Sequence, residues 1–195
     1  MQLDGLKIGF AVTGSHCTLH EITGVMQELV NRGADVTPII SYSVESMDTR
    51  FGNAADWKHT FKEISHKDPI HTIPDAEPIG PQKMFDCMVI APCTGNTLAK
   101  LASGIIDTPV LMAAKAHLRN QRPLLIAIST NDGLGLNARN IGMLLVTKNI
   151  YFVPFGQDNP AKKANSLVAH MDKIPDAILM ACEGRQLQPV LWDFR

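Results

Sequence analysis

KIGFAVTGS, residues 7–15, is a short apolar run that stops at a turn. The six residues from Lys7 to Val12 read as a buried strand, and Thr13-Gly14-Ser15 as the tight turn that closes it. Just beyond, Leu19, Ile22, Val25, Met26, Leu29 and Val30 recur at three- and four-residue spacing. That spacing predicts an amphipathic helix from Thr18 onward, and Gly33 stands where a helix C-cap is favoured. A buried strand feeding such a helix is the opening half of a parallel β-α-β unit.

The alternation continues along the chain. Residues 36–40 (VTPII) predict a strand in which Pro38 points to an edge position or an irregularity. Residues 48–82 are rich in Asp, His, Lys, Pro and Gly and read as irregular, a length that is more often functional or partner-covered than idle. Order returns with a strand at 87–91 (CMVIA), a Pro-Cys-Thr-Gly-Asn turn, and a helix through Leu98, Leu101, Ala102 and Ile105. A helix over 110–118, a strand at 124–128 (LLIAI), a polar Ser-Thr-Asn-Asp-Gly loop, a helix near 139–147 and a strand at 150–155 follow. The last helix is expected from about residue 161 to 182, with the stripe Leu167, Val168, Met171 and Ile174 and a kink or break at Pro175. Strands interleaved with helices predict an α/β fold: one doubly wound parallel sheet, three layers deep, flavodoxin- or Rossmann-like. With no internal repeat and no linker, residues 1–195 read as one domain.

Composition excludes several classes of function. The chain has 195 residues, 18 Lys plus Arg and 19 Asp plus Glu, for a formal charge of −1. Such a balance gives no broad attraction to nucleic acid or anionic lipid. Apolar residues at 45% and charged residues at 19% support a real core and exclude a disordered chain. No apolar run approaches the roughly 20 residues that span a bilayer. Asp4 and the lack of a basic leader argue against a signal peptide. Cys17, Cys87, Cys93 and Cys182 are scattered with no C-x-x-C pair, so a disulfide or zinc framework is not expected and a reducing cytoplasm is.

In a doubly wound sheet, ligands bind at the carboxyl ends of the strands near the topological switch point. Four predicted strand ends carry small polar residues: Thr13-Gly14-Ser15, Ser41-Tyr42-Ser43, Cys93-Thr94-Gly95-Asn96-Thr97 and Ser129-Thr130-Asn131. Any one of them reads as a capped turn, since Ser and Thr are good N-caps and Gly a good turn residue. Four at one edge point to a phosphate-bearing ligand, because a helix start offers free N–H groups and a favourable dipole. Neither G-x-G-x-x-G nor G-x-x-x-x-G-K-[ST] occurs, which disfavours directly bound NAD or ATP and leaves room for a mononucleotide such as FMN. His16, His20 and Glu21 lack the order of a metalloprotease motif and a visible third ligand, so no metal is expected. His59, His66 and His71 fall in the irregular stretch with no nucleophile to pair with. Cys17 and Cys93 each follow a turn near a helix start and are expected to be buried, inert thiols.

The run APCTGNTLAKLASGIIDTPV, residues 91–110, resembles the central motif of the FMN-binding cysteine-decarboxylase superfamily. That superfamily includes phosphopantothenoylcysteine decarboxylases, lantibiotic peptidyl-cysteine decarboxylases and flavin prenyltransferases. The resemblance starts at KIGFAVTGS and continues through QRPLLIAIS and YFVPF. Within it, TGSHCTLHE, YSVESMDTRFG and VPFGQDNP make the chain most similar to the B-subunit family of dipicolinate synthase. This resemblance implies FMN held by Thr13, Gly14, Ser15, Ser41, Ser43, Thr94, Gly95, Asn96 and Thr97, with Ser129 and Thr130 beside the isoalloxazine. It also implies a partner, the dehydrogenase-like A-subunit of dipicolinate synthase, carrying NADP, and the last oxidation of dipicolinate formation in the cytoplasm of a sporulating mother cell. A homo-oligomer, trimeric or higher, is implied as well.

Three departures accompany the match. Decarboxylases carry a His-hydrophobic pair before the third strand, where this chain has Pro78-Ile79, and a Pro-x-Met-Asn clamp where it has Ile128-Ser129-Thr130-Asn131. Flavin prenyltransferases carry an Arg-Glu pair where it has Ser129-Thr130, and two hydroxyls replace neither an acid nor a cation. The expectation is therefore one component of an oxidoreductase, with no assigned catalytic residue. The alternatives are a stand-alone FMN-dependent enzyme of the decarboxylase type and a non-catalytic flavin-binding partner.

Overall fold

A computed structural model describes residues 2–193. β1 (Lys7–Val12) is buried along its length after Lys7. A 3-10 turn (His16–Thr18) leads into α1 (Leu19–Asn31), which buries Leu19, Ile22, Val25, Met26 and Leu29 as their spacing predicts. Gly33, at φ 84°, ends it: its N–H reaches Val30 O at 2.9 Å and that of Ala34 reaches Leu29 O at 3.0 Å. Those two bonds satisfy carbonyls that the helix leaves open.

β2 (Asp35–Ile40) is an edge strand, and Pro38 explains which way it faces. The N–H groups of Asp35 and Ser41 turn inward to Leu6 O and Val12 O, while Pro38 O and Ile40 N turn outward to Ile70. The N–H that proline lacks therefore belongs to the outer row, where a continuous ladder is not required.

Residues 48–82 are more ordered than their composition predicts. After α2 (Tyr42–Ser46), α3 (Ala54–Ser65) runs for 12 residues and buries Ala54, Trp57, Phe61 and Ser65. Its exposed face carries Lys58, His59, Lys62 and Glu63, so charge hides a buried stripe at helical spacing. α4 (Ile73–Ala76) follows, capped by the Thr72 side chain.

β3 (Cys87–Cys93) is buried at every residue, as a central strand covered on both faces must be. α5 (Gly95–Ala102) ends three residues short of the expected Ile105, which is exposed. α6 (Pro109–Leu118), β4 (Leu124–Thr130) and α7 (Ala138–Leu145) fall close to their predicted places. The expected strand over 150–155 is two strands, β5 (Ile150–Phe152) and β6 (Phe155–Gln157).

The last predicted helix is also corrected. β7 (Leu167–Ala169) occupies its middle, with alternate residues buried, and α8 (Ile174–Cys182) begins only at Ile174. Pro175 does not kink this helix; it stands in the first turn, where its missing N–H costs nothing.

The parallel strands lie in the order β2-β1-β3-β4-β5, the doubly wound flavodoxin-like arrangement. Where β5 diverges, the antiparallel pair β7 and β6 takes over beside the end of β4, with Ser129 opposite Val168. The sheet is thus mixed, seven strands in all among the described residues, and not purely parallel as predicted. Phe10, Phe61, Phe85 and Phe152 are among the largest fully buried side chains and belong to one hydrophobic cluster. A titratable side chain is buried with them: His117 on α6 is 1% exposed, its Nε2 2.9 Å from Pro123 O. The chain leaves β1 for β2 on one side and returns to β3 on the other, so a crevice opens between the ends of β1 and β3.

Candidate functional site

Thr13 ties the two sides of that crevice together. Its Oγ1 donates to Pro92 O at 2.6 Å and accepts from Thr94 N at 3.1 Å. The β3–β4 register shifts between Ile90 and Cys93, at Pro92, which has no N–H for the ladder. Thr94 then caps α5: its Oγ1 accepts from Thr97 N at 3.3 Å and lies 3.0 Å from Thr97 Oγ1. The first N–H groups of α5 have no partner inside the helix and open toward the crevice.

A hollow of about 340 Å³ lies there, walled by Thr13, Gly14, Ser41, Ser43, Thr94, Asn96 and Thr97, with Tyr42, Lys100, Thr108 and Leu111 at its margin. Gly14 is required by close approach, since a Cβ there would stand 2.5 Å from Ser43 Oγ. Hydrogen-bond counting defines the character of this hollow. Ser41 and Ser43 share one contact of 3.0 Å, which uses one of two hydroxyl protons. Thr94 and Thr97 likewise use one of two. Two hydroxyl protons, the α5 N–H groups and the ammonium of Lys100, which reaches Asp107 at 2.6 Å, leave a surplus of donors. Such a surplus suits an anion, and a phosphate in particular. These residues fit the phosphate end of FMN.

A second hollow, about 310 Å³, lies across the β1 loop and is walled by Ser15, Cys17, Thr18, Ser129, Thr130 and Asn131. Glu21, Asp158, Lys163, Ser166 and Val168 complete it from α1 and the β6–β7 segment. Ser15 Oγ lies 2.8 Å from Ser129 Oγ and 3.2 Å from Thr18 Oγ1, and Thr18 Oγ1 lies 3.3 Å from Ser129 Oγ. Lys163 pairs with Asp158 at 2.6 Å.

Gly95 lines neither hollow. It is packed so tightly that a Cβ would meet Thr130 Oγ1 and Asn137 Nδ2 at 2.6 Å and Asp132 Oδ1 at 2.7 Å. Asp132 is the hub of this contact: Thr130 Oγ1 donates to it at 2.5 Å, and Asn137 Nδ2 reaches both of its oxygens at 2.9 and 2.8 Å. Asn140 Nδ2 holds Asn137 Oδ1 at 2.8 Å. The Thr130 hydrogen bond first, then that of Asn137, holds the Asp132 carboxyl below the usual range against an opposing contribution from burial. A fixed carboxylate thus stands at the start of α5, where the helix dipole favours it.

The structure therefore gathers Thr13, Gly14, Ser41, Ser43, Thr94, Asn96 and Thr97 in one hollow and Ser15, Ser129 and Thr130 in the other. Sequence reasoning misses Thr18, Lys100, Lys163 and the Asp132–Asn137–Asn140 network. The Asn-Asp-Gly turn after β4 is the available signal for Asp132; nothing in local spacing marks the others. Cys17 corrects an expectation, being exposed rather than buried. Cys93 is buried as expected, and burial pushes its thiol well up. His20 packs edge-on against Trp57 at 4.9 Å between centroids, and His59, His66 and His71 line neither hollow. Pro78 and Ile79, at the place of the decarboxylase His-hydrophobic pair, lie in a 3-10 turn with Ile79 fully buried.

The chain is similar to several known proteins. The dipicolinate synthase B-subunit of Bacillus subtilis (strain 168) is 52% identical over 189 residues, 97% of this chain and 94% of that one. The bifunctional coenzyme A biosynthesis protein CoaBC of Methanocaldococcus jannaschii is 29% identical over 170 residues, 84% of this chain and 39% of that protein. The crystal structure of the dipicolinate synthase B-subunit from Bacillus halodurans superposes with a TM-score of 0.92 at 50% identity, covering 100% of both chains. The FMN-dependent cysteine decarboxylase SpaF, at 18% identity and a TM-score of 0.66, covers 92% of this chain and shares the fold. The model of the Flavoprotein family matches residues 1–178, and the chain belongs to that family.

Proposed function

We propose that this chain is the flavin-holding component of a dipicolinate synthase, residues 1–195 forming one FMN-binding domain. The observation that carries the reading is the donor surplus at the switch point, where Gly14, Ser41, Ser43, Asn96 and Thr97 meet the start of α5. Thr13, Gly14, Ser41, Ser43, Thr94 and Thr97 would hold the phosphate. Ser15, Ser129 and Thr130 would face the ring, with Asn96 and the Gly95 backbone between them. When bound, FMN supplies a carrier of one or two electrons. The residues of this chain orient that carrier: Asp132 fixes Thr130, and Thr13 fixes the β1 loop to β3.

The name of the 52%-identical relative implies a second component. In our reading that partner, the A-subunit of dipicolinate synthase, carries NADP, and the pair oxidises a dihydrodipicolinate-level substrate to dipicolinate in the cytoplasm of a sporulating mother cell. No helix among the described residues is long and apolar enough to cross a membrane. Leu134, Leu136, Met143 and Val146 remain exposed on and around α7, apolar surface that suits the homo-oligomer, trimeric or higher, of this reading.

The test is flavin retention. Protein mixed with FMN or with riboflavin is desalted and its visible spectrum recorded. FMN held near one per chain with riboflavin lost is the expected result, since only FMN has the phosphate. Loss of both, or equal retention, overturns the reading.

A further inference from the structure

We infer that Cys87 and Cys182 form a peroxide-sensitive modification site, where a hydroperoxide joins the two thiols in a reversible disulfide that locks α8 onto β3. The two residues are distant in sequence and adjacent in the fold. Cys87 is the first residue of β3 and is fully buried; Cys182 is the last residue of α8 and is partly exposed. α8 packs against β3 and β4, burying Ile174, Ala177, Ile178 and Ala181, and Cys182 lies against the margin of the same core. There the two thiols meet in a hydrogen bond between their side chains. Neither lines a hollow. The pair stands at the opposite end of the sheet, since Cys87 opens β3 and the far end of that strand leads to Thr94 and the first hollow.

The two sulfurs have different characters. Their mutual hydrogen bond first, then burial and the nearby charges of Cys182 and Asp86, pushes the Cys87 thiol well up. The same hydrogen bond holds the Cys182 thiol down, against burial, Asp86 and Glu183. Asp86 is itself tied to Arg122 at 3.4 Å and to the Lys7 N–H at 3.0 Å. Cys87 thus keeps its proton and donates it to the sulfur of Cys182. The thiolate is the reactive form, and here it falls on the sulfur that solvent reaches. An accessible attacking thiolate beside a buried second thiol is the arrangement that peroxide oxidation requires.

The chemistry balances with hydrogen peroxide as the oxidant. The Cys182 thiolate attacks one peroxide oxygen: an S–O bond forms, the O–O bond breaks and hydroxide leaves. Cys87 then attacks the sulfenic sulfur: an S–S bond forms, the S–O bond breaks, and the oxygen departs as water with the Cys87 proton. Two thiols have lost two electrons and two protons, and one peroxide has become two waters. The other cysteines follow different courses. Cys17 is exposed, but its sulfur lies 3.8 Å from the hydroxyls of Ser15 and Thr18, so it stops at the sulfenic acid. Burial pushes the Cys93 thiol well up and keeps it inert.

The bridge closes a loop of about 100 residues, a length at which cross-linking removes much entropy from the unfolded chain. That loop holds Thr94, Thr97, Ser129 and Lys163, so the lock secures the segment that builds both hollows without entering either.

The test treats full-length protein, reduced and freed of reductant, with a slight excess of hydrogen peroxide. The product is alkylated and digested without reduction for mass mapping, and its Tm is recorded. The expected product is a peptide pair, two hydrogens lighter, joining Cys87 to Cys182 within one chain. Tm should rise by at least about 5 °C, and dithiothreitol should reverse both changes. Cys182→Ser should abolish the rise. In Cys87→Ala, Cys182 should stop at the sulfenic acid and be captured by dimedone. The wild-type map needs no substitution, so the test survives a variant that does not fold. Cys182 carried to sulfenic or sulfinic acid with Cys87 still a thiol overturns the inference. So do cross-links through Cys17 in place of this one, or a bridge that leaves Tm unchanged or lower.

Discussion

Lowering the pH from 7 to 5 should cost this protein about 2 kcal/mol of stability through His117 alone. The imidazole is 1% exposed, and its Nε2 donates to Pro123 O at 2.9 Å, which fixes the neutral tautomer. A second proton would charge a ring packed beside Phe85, 6.5 Å between centroids, in the interior. Burial lowers its pKa from 6.5 to about 4, the proximity of Arg122 adds to this, and the Pro123 hydrogen bond opposes it. Between those values the unfolded chain binds the proton and the folded chain does not, so stability falls as pH falls. It is fully present above 6.5, declines through the window, and the whole of it, about 3 kcal/mol, is lost below pH 4. Integration over the upper part of the window, from pH 7 to 5, yields about 2 kcal/mol. Urea unfolding followed by circular dichroism at pH 7, 6 and 5, at one protein concentration, measures the total change. The same series on His117→Gln, which can still donate to Pro123 O but does not titrate, removes the contribution of other groups. The wild type should lose about 2 kcal/mol more than the variant between pH 7 and 5. Parallel curves for the two proteins would refute the reasoning.

Two further outcomes follow from the packing. Gly14→Ala sets a Cβ 2.5 Å from Ser43 Oγ, so the β1 loop or Ser43 must move. FMN affinity, followed by quenching of flavin fluorescence, should fall about tenfold or more while the circular dichroism spectrum is unchanged; unchanged affinity would dissociate the first hollow from the cofactor. Phe61→Ala empties a fully buried site on α3 and should cost about 3–5 kcal/mol in chemical denaturation. A loss under about 1 kcal/mol would mean that α3 does not belong to the core.

The fold is legible where one physical signal acts alone. KIGFAV, CMVIAPC and LLIAIST are buried on both faces of the sheet, so their apolar character is nearly continuous. α3 is hidden because Trp57 and Phe61 are separated by Lys58, His59, Thr60 and the rest of a solvated face, and composition outweighs period. Leu167, Val168, Met171 and Ile174 carry helical spacing by coincidence: two of them lie in β7 and one in the turn before α8. Seven of the expected site residues line the first hollow because strand-end turns in this fold must converge there. Lys163 and Asp158 cannot be placed from sequence, since the β6–β7 segment that brings them in carries the spacing of a helix.

Thr13 reaches Pro92 across 79 positions and Ser15 reaches Ser129 across 114. Neither hollow therefore exists in any short piece of the nascent chain: the first is incomplete until the start of α6 has emerged, the second until β7 has. Contacts this distant close only after the intervening loops have given up their entropy, which places formation of the pocket late in folding. Competence to hold a ligand then coincides with completion of the sheet, and a ligand that fills either hollow stabilises the entire cooperative unit by mass action.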